Sequence, residues 1–296
     1  MATPILFDLR RGRLDPQQPV VTADDLSVVR GDGIFETLLV RHGRVCNLDR
    51  HLERFGAGAA RMELPTPVSA DWAAAAHAAA ATWSAENDDA EGLLRLVYTR
   101  GRESAPATDD APERATALVM VGPVGPAAAR ARADGVSACL LDRGYPSDFA
   151  ATAPWQLIGV KTLSYATNMA ALRHAAANGF DDVVYTSSDG MVLEGPRSSV
   201  VTVTGRSLRT PPADVGILPG TTVAAIFARA QSEGWDVDYT PLTPDDLRGA
   251  DSVWLCSSVT VAARIVRLDD VELRRDRDDA VAARFADLAS RAVVLA

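Results

Sequence analysis

Apolar and polar positions run through the chain with two alternating periods. In "GIFETLLVRHGRVCNL" two β-rich runs flank His42-Gly43, a pair suited to a tight turn, so the segment predicts a hairpin. Directly after it, "LDRHLERFGAGAARMEL" sets Leu48, Leu52, Phe55 and Ala59 on one helical face, with Asp49 as the candidate cap. "SADWAAAAHAAAATWSAE" predicts a second helix capped by Ser69 or Asp71, and its alanine run reads as close helix packing. "GLLRLVYTRG" and "ATALVMVGPV" predict two further strands.

"GPVGPAAAR" then interrupts the pattern with two Gly-Pro pairs. The expectation is a smaller N-terminal domain over 1–122, a linker over 123–130 and a larger C-terminal domain over 131–296. In the second part the pattern predicts a strand at Val136–Leu141, a short apolar strand "LIGV", and a helix at Asn168–Asn178 ended by Gly179. "DDVVYTSSDGMVLEGPRSSVVTV" reads as strand, Asp-Gly turn, strand and a further strand. "ILPGTTVAAIFARAQSEG" is a loop running into a helix, and "DSVWLCSSVTVAARIVRLD" is two strands around a Ser/Thr turn. The fold class is therefore mixed α/β (α+β).

Composition narrows the function classes. The net charge is −9 and the pI about 5.0, which argues against nucleic acid or an anionic membrane as partner, since both select a basic face. Cys46, Cys139 and Cys256 lack metal or redox spacing and read as buried thiols of a reducing compartment. The start shows no signal-peptide pattern and no window reaches the length of a membrane span, so the expected location is the cytoplasm. His42, His51, His77 and His174 are scattered without ligand spacing, which predicts surface or packing roles and no metal site. No Gly-x-Ser-x-Gly elbow supports a serine hydrolase.

One residue stands apart. Lys161 is the only lysine in a chain with 30 Lys and Arg residues. Arginine does not surrender its proton in a protein, whereas lysine does when desolvated, so a surviving lysine in an Arg-biased chain suggests a needed amine. An amine of this kind forms a Schiff base with a carbonyl cofactor and then moves protons. Lys161 precedes Thr162, Ser164, Tyr165 and Asn168, a polar set ahead of a helix. Tyr165 either bonds a phenolate oxygen of a pyridoxal ring or packs beneath that helix.

Other segments suit the rest of such a cofactor. "LPGTT" puts Gly220, Thr221 and Thr222 at a helix N-terminus, where free N–H groups favour an anion, although Thr is also a common cap. "CSSVT" adds Ser257 and Ser258 just after a strand, and "RHLERF" offers Arg50 and Arg54 as phosphate partners. Glu194, at the end of an apolar strand, could keep a pyridine nitrogen protonated.

In this order, "RGDGIFETLLVRHGRV", "HLERF", "VKTLSYATNMAALRHA", "DDVVYTSSDGMVLEGPRSSVVTV", "LPGTT" and "SSVTVAARIV" resemble the class IV aminotransferases, the fold-type IV pyridoxal-phosphate enzymes, from about Phe7 to about Val266. The resemblance implies a small α/β domain and a larger pseudo-barrel domain, pyridoxal 5'-phosphate as cofactor, a small-molecule amino substrate and a homodimer. It implies Lys161 as the Schiff-base lysine, Glu194 as the pyridine partner, and Arg54, of the His-x-x-Arg pattern begun by His51, on the phosphate. Thr221, Thr222, Ser258 and Ser257 would complete the phosphate cup, and Arg50, out of register with that pattern, would be a surface residue.

Departures from the family pattern bear on the reaction. Ser199 stands where many relatives carry Asn, and Arg30 precedes "GDG" where an aromatic is common. D-amino acid aminotransferases use Tyr after "GDG-x" and an Arg-x-His pair for the substrate carboxylate; this chain has Phe35, and Arg100 and Arg102 without the histidine. The branched-chain Gly-Asn-Tyr after the lysine is replaced by Ser164-Tyr165-Ala166. "GDGIFET" and the "VVYTSSDGMVLEG" region look nearest to aminodeoxychorismate lyase-like members. The expected reaction is release of pyruvate from 4-amino-4-deoxychorismate to give 4-aminobenzoate for folate synthesis, with Arg30, Phe35, Arg100 and Arg102 as candidate substrate contacts. The alternative on the same cofactor is a transaminase using D- or branched-chain amino acids and a 2-oxo acid. A non-catalytic binding protein on this fold would be expected to have lost the lysine or the phosphate cup, and both are present.

Overall fold

The structure, a computed structural model, describes residues 2–105, 115–273 and 279–293. It divides into two compact units. The first holds the described residues up to Val124 together with Val160–Tyr165; the second holds Gly125–Gly159 and the chain from Ala166 through the last described helix.

The first unit is built on β1 (Ile5–Asp8), β2 (Gly12–Leu14), β3 (Gly33–Arg41), β4 (Arg44–Val45), β5 (Gly92–Thr99) and β6 (Ala117–Pro123), in the sheet order β2-β1-β6-β5-β3-β4. Every pairing is antiparallel. His42 and Gly43 both take positive φ, 48° and 66°, which matches the twist of the predicted β3–β4 hairpin. Its helices are α1 (Leu26–Val29), α2 (Leu48–Arg61) and α3 (Ser69–Glu86). α2 buries Leu48, Leu52, Phe55 and Ala59, the face its spacing predicts, and adds His51. α3 buries Trp72, Ala76, Ala79, Ala80 and Trp83, and Phe55, Trp72 and Tyr98 meet as an aromatic cluster. The caps differ from expectation: Asn47, in the left-handed region, precedes α2 and Val68 precedes α3, neither with a side-chain bond. Asp49 and Asp71 lie in the first turns, where their charge still favours the helix dipole.

The second unit carries α4 (Pro126–Asp134), β7 (Val136–Asp142), α5 (Phe149–Thr152), α6 (Ala166–Ala177), β8 (Asp182–Thr186), β9 (Glu194–Gly195), β10 (Ser198–Thr204), β11 (Ser207–Thr210), α7 (Thr221–Ser232), β12 (Asp236–Tyr239), α8 (Pro244–Gly249), β13 (Ser252–Ser257), β14 (Val261–Leu268), β15 (Val271–Glu272) and α9 (Asp279–Val293). Its mixed sheet runs β12-β11-β10-β13-β14-β7-β8, with β15 on β14 and β9 on β10. Strand alternation feeds two cores: Ala138 and Val184 enter one, while Cys139 and Val183 enter the other. The Gly-Pro segment is partly regular, because Pro126 opens α4, where its missing N–H costs nothing. "LIGV" is not a strand. Leu157 (φ 54°) and Gly159 (φ 78°) take the left-handed region and break extension.

Both sheets are curled, the first antiparallel and the second mixed, in keeping with the expected α/β (α+β) class. Cys46, Cys139 and Cys256 are free and buried. Among the described residues no helix is long and apolar enough to cross a membrane, and no group of three or more His, Cys, Asp or Glu side chains is arranged to hold a metal ion.

Candidate active site

In the first unit the lysine segment is docked against β3. The Phe35 amide donates to the Lys161 carbonyl (3.0 Å), the Leu163 amide donates to the Gly33 carbonyl (2.8 Å), and Thr162 bridges Ile34. These bonds use the edge of β3 that β5 leaves open. The glycines of "RGDG" admit the segment. A Cβ on Gly33 would lie 2.7 Å from Leu163 and 2.6 Å from the Tyr98 carbonyl, and one on Gly31 would lie 2.6 Å from the Ser164 hydroxyl.

So held, Lys161 lies between two rings. Its Nζ is 4.6 Å from the Phe35 centroid and 5.7 Å from that of Tyr165. The rings meet edge to face at 5.3 Å and 87°. Tyr165 therefore packs on Phe35 as well as facing the lysine.

Arg54 sits in a buried charge group that the chain's sequence does not announce. Its Nε donates to Glu36 Oε1 (2.7 Å) and its Nη2 to Glu36 Oε2 (2.6 Å), while His51 Nδ1 lies 2.7 Å from Oε2. Burial alone would push the Glu36 carboxyl up, but the Arg54 charge and the bonds from His51 and Arg54 hold it down at about 2. Burial pushes the His51 pKa down against the pull of Glu36. A neutral ring facing a carboxylate must donate, which places the proton on Nδ1.

The three arginines expected to contact substrate all have acidic neighbours. Arg100 donates to Asp32 from Nε (2.7 Å) and Nη2 (3.3 Å), and to the Met62 (2.6 Å) and Glu63 (3.1 Å) carbonyls at the end of α2. Arg102 donates to Asp24 (3.1 Å), and Arg30, exposed, lies 3.8 Å from Glu103. Arg50 is exposed on α2.

In the second unit, register gathers the remaining candidates. Glu194 of β9 pairs with Ser199 of β10, which pairs on its other side with Cys256 of β13, one residue before Ser257. Glu194 Oε1 accepts from Arg143 Nη1 (2.9 Å) and Oε2 from the Leu218 amide (3.1 Å). The Arg143 guanidinium lies 4.9 Å over the Tyr185 ring. Nothing in "LDRGYP" marks Arg143 as special.

Ser199 reaches the start of α7. A Cβ on Gly220, its N-cap, would fall well inside van der Waals contact of the Ser199 hydroxyl, so only glycine lets that hydroxyl close on the backbone. Thr221 and Thr222 follow, both buried in the first turn. Ser257 ends β13, its hydroxyl accepting from the Thr260 amide (3.4 Å), and Ser258 lies in the turn to β14. Arg132 of α4 donates to the Thr260 (3.2 Å) and Val259 carbonyls and braces that turn. Hydroxyls, first-turn amides and a glycine cradle form a donor set suited to a phosphate dianion. The ion-paired carboxylate and the sole lysine are the other groups a pyridoxal cofactor needs, so the residues fit it.

The model of the family described as amino-transferase class IV matches residues 33–268. The chain belongs to the class IV aminotransferases. A Mycobacterium tuberculosis member, named bifunctional aminodeoxychorismate lyase / D-amino acid transaminase, is 47% identical over 288 residues, covering 95% of this chain and 96% of that one. A solved structure, "a hypothetical aminotransferase from Mycobacterium tuberculosis, PLP-bound form", superposes with a TM-score of 0.92 at 47% identity over 98% of this chain and 99% of its own. A fold IV-transaminase from Curtobacterium pusillum gives 0.88 at 39% identity, covering 98% and 97%.

Proposed function

We propose that this class IV enzyme uses pyridoxal 5'-phosphate to release pyruvate from 4-amino-4-deoxychorismate, giving 4-aminobenzoate. The observation that carries the reading is the 47% identity, over nearly the whole of both chains, to a relative named for that lyase activity. When bound, the cofactor supplies an electron sink for the bond that breaks. Lys161 would hold its carbonyl and move protons at Nζ. Phe35 and Tyr165 wall that amine and restrict water around it. Glu194, ion-paired with Arg143, would keep the ring nitrogen protonated. Arg54, Ser199, Thr221, Thr222, Ser257 and Ser258 bind the phosphate.

Of the three substrate arginines, Arg30 has the longest ion pair, so it is the one best able to turn to a substrate carboxylate. Arg102, paired with Asp24, is second, and Arg100 is committed to Asp32 and the end of α2. The enzyme works as a homodimer in the cytoplasm, within folate synthesis. The acidic balance and the absence of a spanning helix among the described residues support a water-filled compartment.

A second reading is favoured by the same relative, whose name also includes D-amino acid transaminase. One chain serves both if the reactions share binding and proton removal and part only in what leaves. The test is a product assay. With chorismate, glutamine and the partner synthase, 4-aminobenzoate should accumulate; with D-alanine and 2-oxoglutarate, D-glutamate should form. Absence of 4-aminobenzoate alongside D-glutamate formation removes the lyase reading and leaves the transaminase.

A further inference from the structure

β3 is an apolar strand, and Glu36 is the one acidic side chain within it. It points the same way as Ile34 and Leu38, into the buried interface with α2. There it meets His51 and Arg54, which lie three residues apart on one face of that helix. The carboxylate takes three donors: Nε and Nη2 of Arg54, and Nδ1 of His51. Such a two-point grip fixes the plane and rotation of a guanidinium, which a single contact does not. An apolar residue of similar volume would fill the same space without desolvating a charge, so packing alone gives no reason for a carboxylate here.

From this geometry we propose that Glu36 is the positioning residue for the phosphate-binding arginine: with His51 as a second support, it sets the direction in which Arg54 presents its N–H groups to the cofactor phosphate. The inference rests on the reading of Arg54 as a phosphate ligand. It follows that Arg54 acts as a directed donor more than as a point charge, because the Glu36 carboxylate beside it offsets most of its field.

The test compares binding of pyridoxal 5'-phosphate with that of pyridoxal, which has the carbonyl and ring but no phosphate, to cofactor-stripped protein, followed by absorbance. Wild type, Arg54→Ala, Glu36→Gln and the double variant are titrated. Glu36→Gln should weaken pyridoxal 5'-phosphate roughly ten- to hundredfold while moving pyridoxal less than about threefold. The double variant should be little worse than Arg54→Ala, because the two changes act through one contact. Equal weakening of both ligands by Glu36→Gln would mean a general structural role and overturn the proposal, as would an unchanged ratio. If Arg54→Ala itself leaves the ratio unchanged, the phosphate reading of Arg54 fails and takes the proposal with it. That result is distinct from Arg54→Ala lowering the ratio while Glu36→Gln does not. Should Glu36→Gln not accumulate as folded protein, Glu36→Asp decides instead: it keeps the charge but withdraws the grip by one methylene, and the ratio must fall.

Discussion

The Leu163 amide donates to the Gly33 carbonyl at 2.8 Å, and the Leu163 side chain lies 2.7 Å from where a Cβ on Gly33 would be. The lysine two residues earlier is thus positioned by a glycine far away in the sequence. Gly33→Ala should displace the segment as well as press on the Tyr98 carbonyl, and cost about 1–3 kcal/mol of stability as overpacking does. Activity should fall much further than unfolding free energy, since the segment can shift without the sheet coming apart. Urea unfolding and product formation measured on one preparation check this; an equal, small loss in both would contradict it.

Lys161→Arg separates charge from amine. A guanidinium can occupy the place between the Phe35 and Tyr165 rings that the ammonium fills, so stability should change by no more than about 1 kcal/mol. Turnover should vanish, and after borohydride treatment and removal of unbound pyridoxal 5'-phosphate the protein should carry no covalently fixed cofactor absorbance. Retained turnover would show that the chain's only lysine is not the reacting amine.

Much of this was legible in the sequence where one residue type carries one meaning. Lys161 stood out through its rarity, α2 through spacing and the β3–β4 turn through His42-Gly43. α3 gave only weak phasing because alanine occupies buried and exposed positions alike. "LIGV" misled because four apolar residues look extended, while the positive φ of Leu157 has no sequence signature. Glu36 went unremarked, although a lone acid in an apolar strand is a signal that could have found it. Its partners were not legible, because a contact between a strand and a helix depends on how the two pack. Arg143 is one arginine among many, and only the fold shows that it holds Glu194.

Removing the partner of Glu194 tests whether the carboxylate needs its ion pair. Arg143→Met fills similar volume and removes the 2.9 Å bond to Glu194. The loss of a part-buried charged hydrogen bond predicts destabilisation of about 1–3 kcal/mol. Pairing Arg143→Met with Glu194→Gln should recover part of that loss, since the carboxylate charge that Arg143 balanced is then gone as well. Thermal unfolding of the four proteins decides it, and additive losses would count against direct coupling.

Acid should unfold the protein partly through the Arg54 group, with both titrating members acting in the same direction. Glu36 has a folded pKa of about 2 against an ordinary 4.5, so its stabilisation is complete above 4.5 and is lost as pH falls toward 2. The shift corresponds to about 3 kcal/mol. His51 is also lowered, from 6.5; below that value the unfolded chain takes up a proton that the folded ring resists, so stability again falls with falling pH. Between pH 7 and pH 3 wild type should therefore lose more stability than Glu36→Gln, and the stability curves should converge on acidification. His51→Asn keeps an N–H donor but cannot titrate, and should flatten the part of the curve just below pH 6.5. Urea titrations across this range provide the measurement; parallel curves for wild type and Glu36→Gln would show that Glu36 keeps an ordinary pKa in the folded protein.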